Sequence, residues 1–392
     1  MLFVTTVAST LEAFLLPFAR ALRERGLRVD ALSADTLSTA GLAGEFDQRF
    51  EIGWSRSIRS LARYRRLARD VRVLVAREGY ETVWVHTPIA ALVTRAALRR
   101  GGPRGALAGG REGALAPRVV YTAHGLHFFR GGPALTNGVY RLLEKWAARR
   151  WTDVLVVMND EDEAAARRWV APGGWRCQLL RIDGIGIDAA EWAPVTLDPV
   201  RRQELRERFG LPPESFTITM IAEMNANKRH ELLIEAVGEL VAREATGELR
   251  LLLVGEGPRK TELRRLATEE GLAGTVVFTG QLRPDELREL LALTDLGMLV
   301  SAREGLPRSL MELCAAGIPL AGTRTRGIVD EVADERALAS APTPAAIAEL
   351  ILRLAKDPAL RDELARAQHA RLMERYELGR VLEQYLELLE GS

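Results

Sequence analysis

Short apolar runs alternating with helix-length amphipathic stretches constrain this chain more than any other feature. In the first half the runs fall at residues 2–7, 27–32, 82–86, 118–124, 153–158 and 177–182. They resume at 216–222, 249–254, 275–279, 296–300 and 318–322. Runs this short and this continuously apolar suit strands buried on both faces, and the intervening stripes suit crossover helices. The prediction is an α/β protein built on doubly wound parallel sheets, with ligands at the carboxyl ends of the strands. The interruption is equally informative. Ile182-Asp-Gly-Ile-Gly-Ile-Asp188 is rich in turn formers, and Pro194, Pro199, Pro212 and Pro213 follow. This places a domain boundary there and divides the chain into residues 1–190 and 200–375. At 392 residues and 47% hydrophobic, the chain can supply a core to each.

Bulk properties narrow the function. With 54 basic against 53 acidic residues, no net field draws a nucleic acid. Cys177 and Cys314 are the only cysteines, which suits a reducing compartment better than a disulfide scaffold. The chain opens directly on the apolar run at 2–7, and no apolar stretch reaches membrane-spanning length, so a cytoplasmic protein is expected. The segment from Arg56 to Arg77 interleaves arginines with Leu61, Leu67, Val71 and Leu74. It reads either as a solvated basic helix face over a core stripe or as a peripheral contact with an anionic membrane.

The most informative stretch is Ser301-Ala-Arg-Glu-Gly-Leu-Pro-Arg-Ser-Leu-Met-Glu312. It follows an apolar run, turns at Gly305 and Pro307, and enters a helical stripe of Leu310, Leu313 and Ala316. A carboxylate at Glu304 and another at Glu312 can accept hydrogen bonds from vicinal hydroxyls. The free N–H groups around Arg308 and Ser309 favour an anion. Taken alone, Glu304 reads equally as a turn cap and Glu312 as a solvated helix residue. Lys228 falls at the start of another helical stripe, where a cation is unfavourable unless an anion lies between it and the helix N–H groups, so a phosphate partner is one reading and a solvent-facing lysine the other. Gly255 and Phe278-Thr-Gly280 mark turns at strand ends that let backbone approach a ligand.

In the first half, the strand at 118–124 ends in Thr122-Ala-His124-Gly125-Leu-His127-Phe-Phe129. The two histidines have metal-ligand spacing, but no cysteine or carboxylate nearby completes a ligand set, so no metal is expected. Asp160-Glu-Asp162 has the look of an acidic metal motif, yet it opens a run of strong helix formers and reads as capping. The loop at residues 8–10 has no glycine fingerprint for an ordinary dinucleotide. The glycine-rich residues 101–105 and 109–113 lack the ending of a phosphate loop and read as a connection.

Over essentially its full length, and most strongly over residues 119–129, 220–236 and 296–330, the sequence resembles the retaining GT-B glycosyltransferases of family 4 type, among them those of bacterial capsular and exopolysaccharide synthesis. The match runs through the glutamate pair into Cys314-Ala-Ala-Gly-Ile-Pro and Arg326-Gly-Ile-Val-Asp330. The resemblance implies two Rossmann-like domains facing a deep cleft, the first on the acceptor side and the second binding a nucleotide sugar. The last helix, residues 376–392, would cross back to the first domain. It implies transfer of a hexose or N-acetylhexosamine from a UDP-sugar to a sugar or lipid-linked acceptor, with retention and with neither metal nor cofactor. In these terms His124, Glu304 and Lys228 are the reacting-centre residues. Glu312 would hold the ribose, Gly305 and Leu306 the diphosphate, and Pro307 and Arg308 the same loop. Gly255, Phe278 and Gly280 would lie towards the nucleotide, Gly125 beside the histidine, and Gly184 and Asp188 along the cleft. The chain departs from the family at Ala222-Glu223, where Gly-Arg is usual, so a second diphosphate cation must come from elsewhere, with Arg308 or Arg229 as candidates. Two other classes share the shape: a UDP-sugar epimerase, which needs ring acid/base residues and no acceptor site, and a non-catalytic nucleotide-sugar binder. Retention of His124 with both glutamates favours transfer.

Overall fold

In a computed structural model, residues 1–54, 61–99, 116–129, 131–170, 177–245 and 247–391 are described. The glycine-rich excursion and the first part of the arginine-rich segment lie outside them. The chain forms two compact units, Met1–Ile185 with Arg380–Ser392, and Gly186–Gly379.

The first unit is a seven-stranded parallel sheet of β1 (Leu2–Val7), β2 (Asp30–Ala34), β3 (Arg49–Glu51), β4 (Thr82–Val85), β5 (Arg118–Ala123), β6 (Val154–Val157) and β7 (Gln178–Arg181). Their spatial order is 3-2-1-4-5-6-7. The direction of winding reverses between β1 and β4, which opens a crevice at their carboxyl ends. Alternate residues of one strand serve opposite faces: Val83 and Val85 join the core under helices Leu61–Glu78, Pro88–Ala97 and Asp160–Val170. Trp84 joins the core on the other face, under helix Leu16–Glu24 and helix Leu378–Glu390. There Trp84 meets Phe3 and Phe18 edge to face and Tyr385 at a tilt, with ring centroids 4.8, 5.5 and 5.0 Å away. The last helix therefore supplies part of this core.

Two departures from the sequence expectation have local causes. The strand expected at 27–32 runs from Asp30, whose buried carboxylate accepts from Tyr80 Oη at 2.5 Å and from the Gln48 N–H at 2.9 Å. A satisfied charge thus sits inside a strand where periodicity expects none. Edge strand β3 has only three residues, Arg-Phe-Glu, too short to leave an apolar run. In helix Leu61–Glu78 the apolar stripe of Leu67, Val71 and Val75 is buried, and Arg72 donates to the Ala97 carbonyl at 2.9 Å. What this helix offers outside is mainly charge.

The second unit is a five-stranded parallel sheet of β8 (Phe216–Ile221), β9 (Leu249–Val254), β10 (Val276–Gly280), β11 (Leu296–Leu299) and β12 (Leu320–Gly322), in the order 10-9-8-11-12. Winding reverses between β8 and β11. The loops that leave these two strands carry Lys228 and Glu304, so the topology brings together residues 76 positions apart.

Candidate functional site

In the second unit the Lys228 ammonium lies 2.7 Å from Glu304 Oε1, with both side chains largely buried. The loop that delivers the lysine is built by asparagines: Asn225 Oδ1 accepts from the N–H groups of Asn227 and Lys228 at 3.0 and 3.2 Å, forming a side-chain turn. Arg229 then takes a left-handed conformation, φ 52°, and helix His230–Ala242 begins. Asn227 ties this loop to the other one, donating to the Arg303 carbonyl at 2.9 Å and accepting from the Ala302 N–H at 2.7 Å. On the far side Arg326 donates to the Glu304 carbonyl at 2.9 Å. A Cβ on Gly327 would collide with the Gly305 carbonyl oxygen, so the segment after β12 presses on the glutamate loop without a side chain between them. The Glu304 loop is held from both flanks.

Helix Arg308–Ala315 starts directly after Pro307, with no side-chain cap among the described residues. Arg308 Nε donates to Glu312 Oε1 at 3.0 Å. Burial raises the pKa of Glu312, opposed by that arginine. Gly255, after β9, has φ 133°, and a Cβ there would collide with the Ala222 carbonyl oxygen, so the turns after β8 and β9 are in backbone contact. Gly280 faces Glu256 and Lys260, which pair at 2.5 Å, and the Arg264 guanidinium covers the Phe278 ring at 5.3 Å. Glu223, where the resemblance wants a cation, is exposed and accepts from Asn225 Nδ2. Arg326, at 6% exposure and hydrogen-bonded to the Glu304 carbonyl, is a cation that sequence reasoning did not single out for the site.

The first unit holds the other candidates. Helix Asp160–Val170 is capped by Asn159, whose Oδ1 accepts from the Asp162 N–H at 2.9 Å. Asp160 and Asp162 do stand in its first turn, as read from sequence, but the cap is the residue before them. The fully buried Asp162 also reaches outside its helix, where its Oδ2 accepts from the Leu126 N–H at 3.0 Å and from Asn159 Nδ2 at 2.9 Å. This pins the loop that carries His124. Among the described residues no cluster of three or more His, Cys, Asp or Glu has a metal-binding arrangement.

His124 itself is paired, a feature that spacing did not reveal. Its Nε2 lies 2.8 Å from Nδ1 of His86, which follows β4, the strand beside β5. His86 is completely buried beside Trp84, with the rings tilted and 4.4 Å between centroids, and its Nε2 has no partner among the described residues. Burial drives the pKa of His124 down to about 4, and burial together with His124 drives that of His86 well below the usual histidine range. Both rings are neutral at physiological pH, so one donates its single N–H to the other. The pair orients the His124 ring without charging it. Gly184 lies in the same unit at φ 83°. Asp188 belongs to the second unit and caps a turn by accepting from the N–H groups of Ala190 and Glu191, both at 3.0 Å.

Glu331, in the short helix Ile328–Val332, is the least expected group: it is 4% exposed and neither carboxylate oxygen has a partner among the described residues. Burial first, then the charges of Glu304 and Asp330, hold its pKa well above the carboxylate range. The folded chain keeps this proton where the unfolded chain has lost it, so stability falls as pH rises above the unfolded value. The expected result for Glu331→Gln is an advantage over the parent that is small near pH 5. It should widen by up to about 1.4 kcal/mol per pH unit towards the folded pKa. Denaturant midpoints at about pH 5 and about pH 8 check this, and parallel pH profiles would refute it.

Both halves of the chain match known proteins. The model of the glycosyl transferases group 1 matches residues 201–371, and that of Glycosyltransferase Family 4 matches residues 11–174. The protein named "Putative glycosyltransferase EpsD" of Bacillus subtilis (strain 168) is 32% identical over 330 residues, spanning 83% of this chain and 79% of its own. The UDP-Gal:alpha-D-GlcNAc-diphosphoundecaprenol alpha-1,3-galactosyltransferase of Escherichia coli is 24% identical over 66% of this chain and 63% of its own. Among solved structures, Anabaena Alr3699/HepE in complex with UDP and glucose superposes with a TM-score of 0.74 at 18% identity, covering 100% of this chain and 99% of that one.

Proposed function

The chain belongs to the group 1 glycosyltransferases and has their GT-B fold of two α/β domains, and from that premise we propose that it moves a hexose or N-acetylhexosamine from a UDP-sugar to an acceptor hydroxyl. The anomeric configuration is retained, no metal takes part, and the product enters a surface polysaccharide or other glycoconjugate. The reaction runs in the cytoplasm or at the inner face of the plasma membrane, on a sugar or lipid-linked sugar acceptor.

The observation that carries this reading is the Lys228–Glu304 pair at the switch point of the second sheet, with Glu312 on the helix that follows. A glutamate there can accept from sugar hydroxyls while the ammonium beside it neutralises a diphosphate, whose departure is the main electrostatic demand of the reaction. The start of helix Arg308–Ala315 and the backbone of Gly305 and Leu306 just before it border the same anion. Arg326 and Arg308 stand in for the arginine missing at Glu223. Glu312 accepts from the ribose, released from Arg308 or shared with it. Gly255, Phe278 and Gly280 border the nucleotide. On the first domain, neutral His124 gives a hydrogen bond to the sugar, with Gly125 leaving room beside it.

Calorimetry with UDP tests the nucleotide half. Glu312→Ala and Lys228→Ala each remove a charge-assisted hydrogen bond, about 1.5–3 kcal/mol, and are expected to weaken UDP roughly tenfold or more. Parent-like affinity in both folded variants would sink the site.

A further inference from the structure

Strand β4 runs out into His86-Thr87-Pro88, a turn whose backbone is strained. Thr87 is β-branched yet stands at φ 57° and ψ 137°, a conformation its Cβ disfavours, before Pro88 opens helix Pro88–Ala97. Its hydroxyl holds the turn, donating to the His86 carbonyl at 2.6 Å, accepting from the Thr6 N–H at 2.9 Å and meeting the Thr6 hydroxyl at 2.7 Å. The His86 N–H donates in turn to the Val4 carbonyl at 2.8 Å. Thr6 and Val4 both lie on β1, so the turn is fastened to the strand at which the winding of this sheet reverses, where α/β sheets take ligands. Strain kept at such a point marks a position that its surroundings over-determine. What it fixes here is the His86 ring, with Nδ1 placed 2.8 Å from His124 Nε2.

The surroundings of the two neutral rings decide which of them donates, since each has a single N–H. His86 is completely buried and its Nε2 has no partner among the described residues, whereas His124 is partly exposed. If His124 donated from Nε2, the proton of His86 would have to sit on its own Nε2, an N–H shut in the core without an acceptor. With the direction reversed, His86 donates from Nδ1 and leaves only a lone pair on Nε2. The proton of His124 then sits on Nδ1, where water or a ligand can accept from it. Folds tolerate a buried unpaired acceptor better than a buried unpaired N–H, which favours the second arrangement.

We propose that His86 is a positioning residue: it donates from Nδ1 to His124 Nε2 and so holds His124 as the Nδ1–H tautomer, a hydrogen-bond donor on its free side. The functional meaning of this rests on the proposed transfer reaction, in which the His124 ring meets an oxygen of the sugar. An imidazole whose one lone pair is engaged by His86 has no base left to offer, so His124 binds oxygen and takes no proton.

The full chain labelled with ¹⁵N-histidine tests the inference, and with five histidines in the sequence the spectrum is simple enough to assign. Long-range proton–nitrogen correlations tell a protonated ring nitrogen from a bare one. At neutral pH both His86 and His124 are expected to show a protonated Nδ1 and a bare Nε2. A protonated Nε2 on His124 overturns the proposal, as does a ring carrying both protons. His86→Phe should release His124 into a mixture of tautomers and lower turnover at least about tenfold, the direction that loss of tautomer control takes in a catalytic triad, while UDP affinity stays within about twofold. His86→Asn, whose amide N–H falls near the place of Nδ1, should recover most of that loss. Parent-like turnover in His86→Phe, or equal losses in the two folded variants, would reduce His86 to core filling and overturn the inference. The parent spectrum needs neither donor sugar nor acceptor and does not depend on how His86→Phe folds, so failure of the tautomer and failure of the proposed transfer are read separately.

Discussion

Replacing His124 with alanine is expected to lower turnover roughly 10²- to 10⁴-fold, the range for losing a positioned side chain at a reacting centre. UDP affinity should stay within about twofold of the parent. The split follows from where the groups lie: the proposed nucleotide contacts all belong to the second domain, and His124 belongs to the first. A loss of turnover without loss of nucleotide binding marks an interaction made beyond donor anchoring. Steady-state rates with a verified donor and acceptor, beside UDP calorimetry, read both quantities. Full turnover in the variant would make the His86–His124 pair a purely structural contact.

The second large effect is on stability. Arg95 is completely buried, yet Nη2 reaches both oxygens of Glu144 at 3.0 and 3.3 Å, Nε donates to the Ala91 carbonyl at 3.2 Å, and the guanidinium lies 4.1 Å over the Tyr121 ring. Glu144→Ala strands that cation in the core under β5 and should cost about 3–5 kcal/mol, whereas replacing both partners with apolar residues should recover most of the loss. Chemical denaturation of Glu144→Ala and of Arg95→Met with Glu144→Leu makes the comparison. A single variant within about 1 kcal/mol of the parent would show that water reaches Arg95 and that the ion pair is dispensable.

Much of the α/β layout was legible because it is written in local periodicity. Runs such as Leu249–Val254 and Leu296–Leu299 are apolar almost throughout, which only strands buried on both faces require. Glu304 and Lys228 were legible as separate residues, each at a strand-to-helix turn. Their contact was not, because it depends on β8 and β11 being neighbours. The same holds for His86, 38 positions from His124, whose importance comes from strand adjacency and which stands in sequence as one more residue after a short run. Asp162 illustrates a different limit. An acidic residue in a first helical turn already has a sufficient local explanation, so nothing in the sequence points to its hold on the Leu126 N–H. Glu331 leaves no signal at all, since an ionisable side chain in a polar-looking stretch gives no hint that the fold will close over it.

Helix Leu378–Glu390 bears on how the protein is made. Val381, Tyr385, Leu386 and Leu389 complete the core around Phe18 and Trp84, although the ribosome has by then synthesised the whole second unit. Until residues 381–389 have left the exit tunnel, the first unit waits with an aromatic face uncovered, while the later-made second unit already has every strand of its sheet. Assembly order therefore runs against synthesis order, and the interval in which a chaperone could engage the nascent chain lasts as long as translation of the intervening residues.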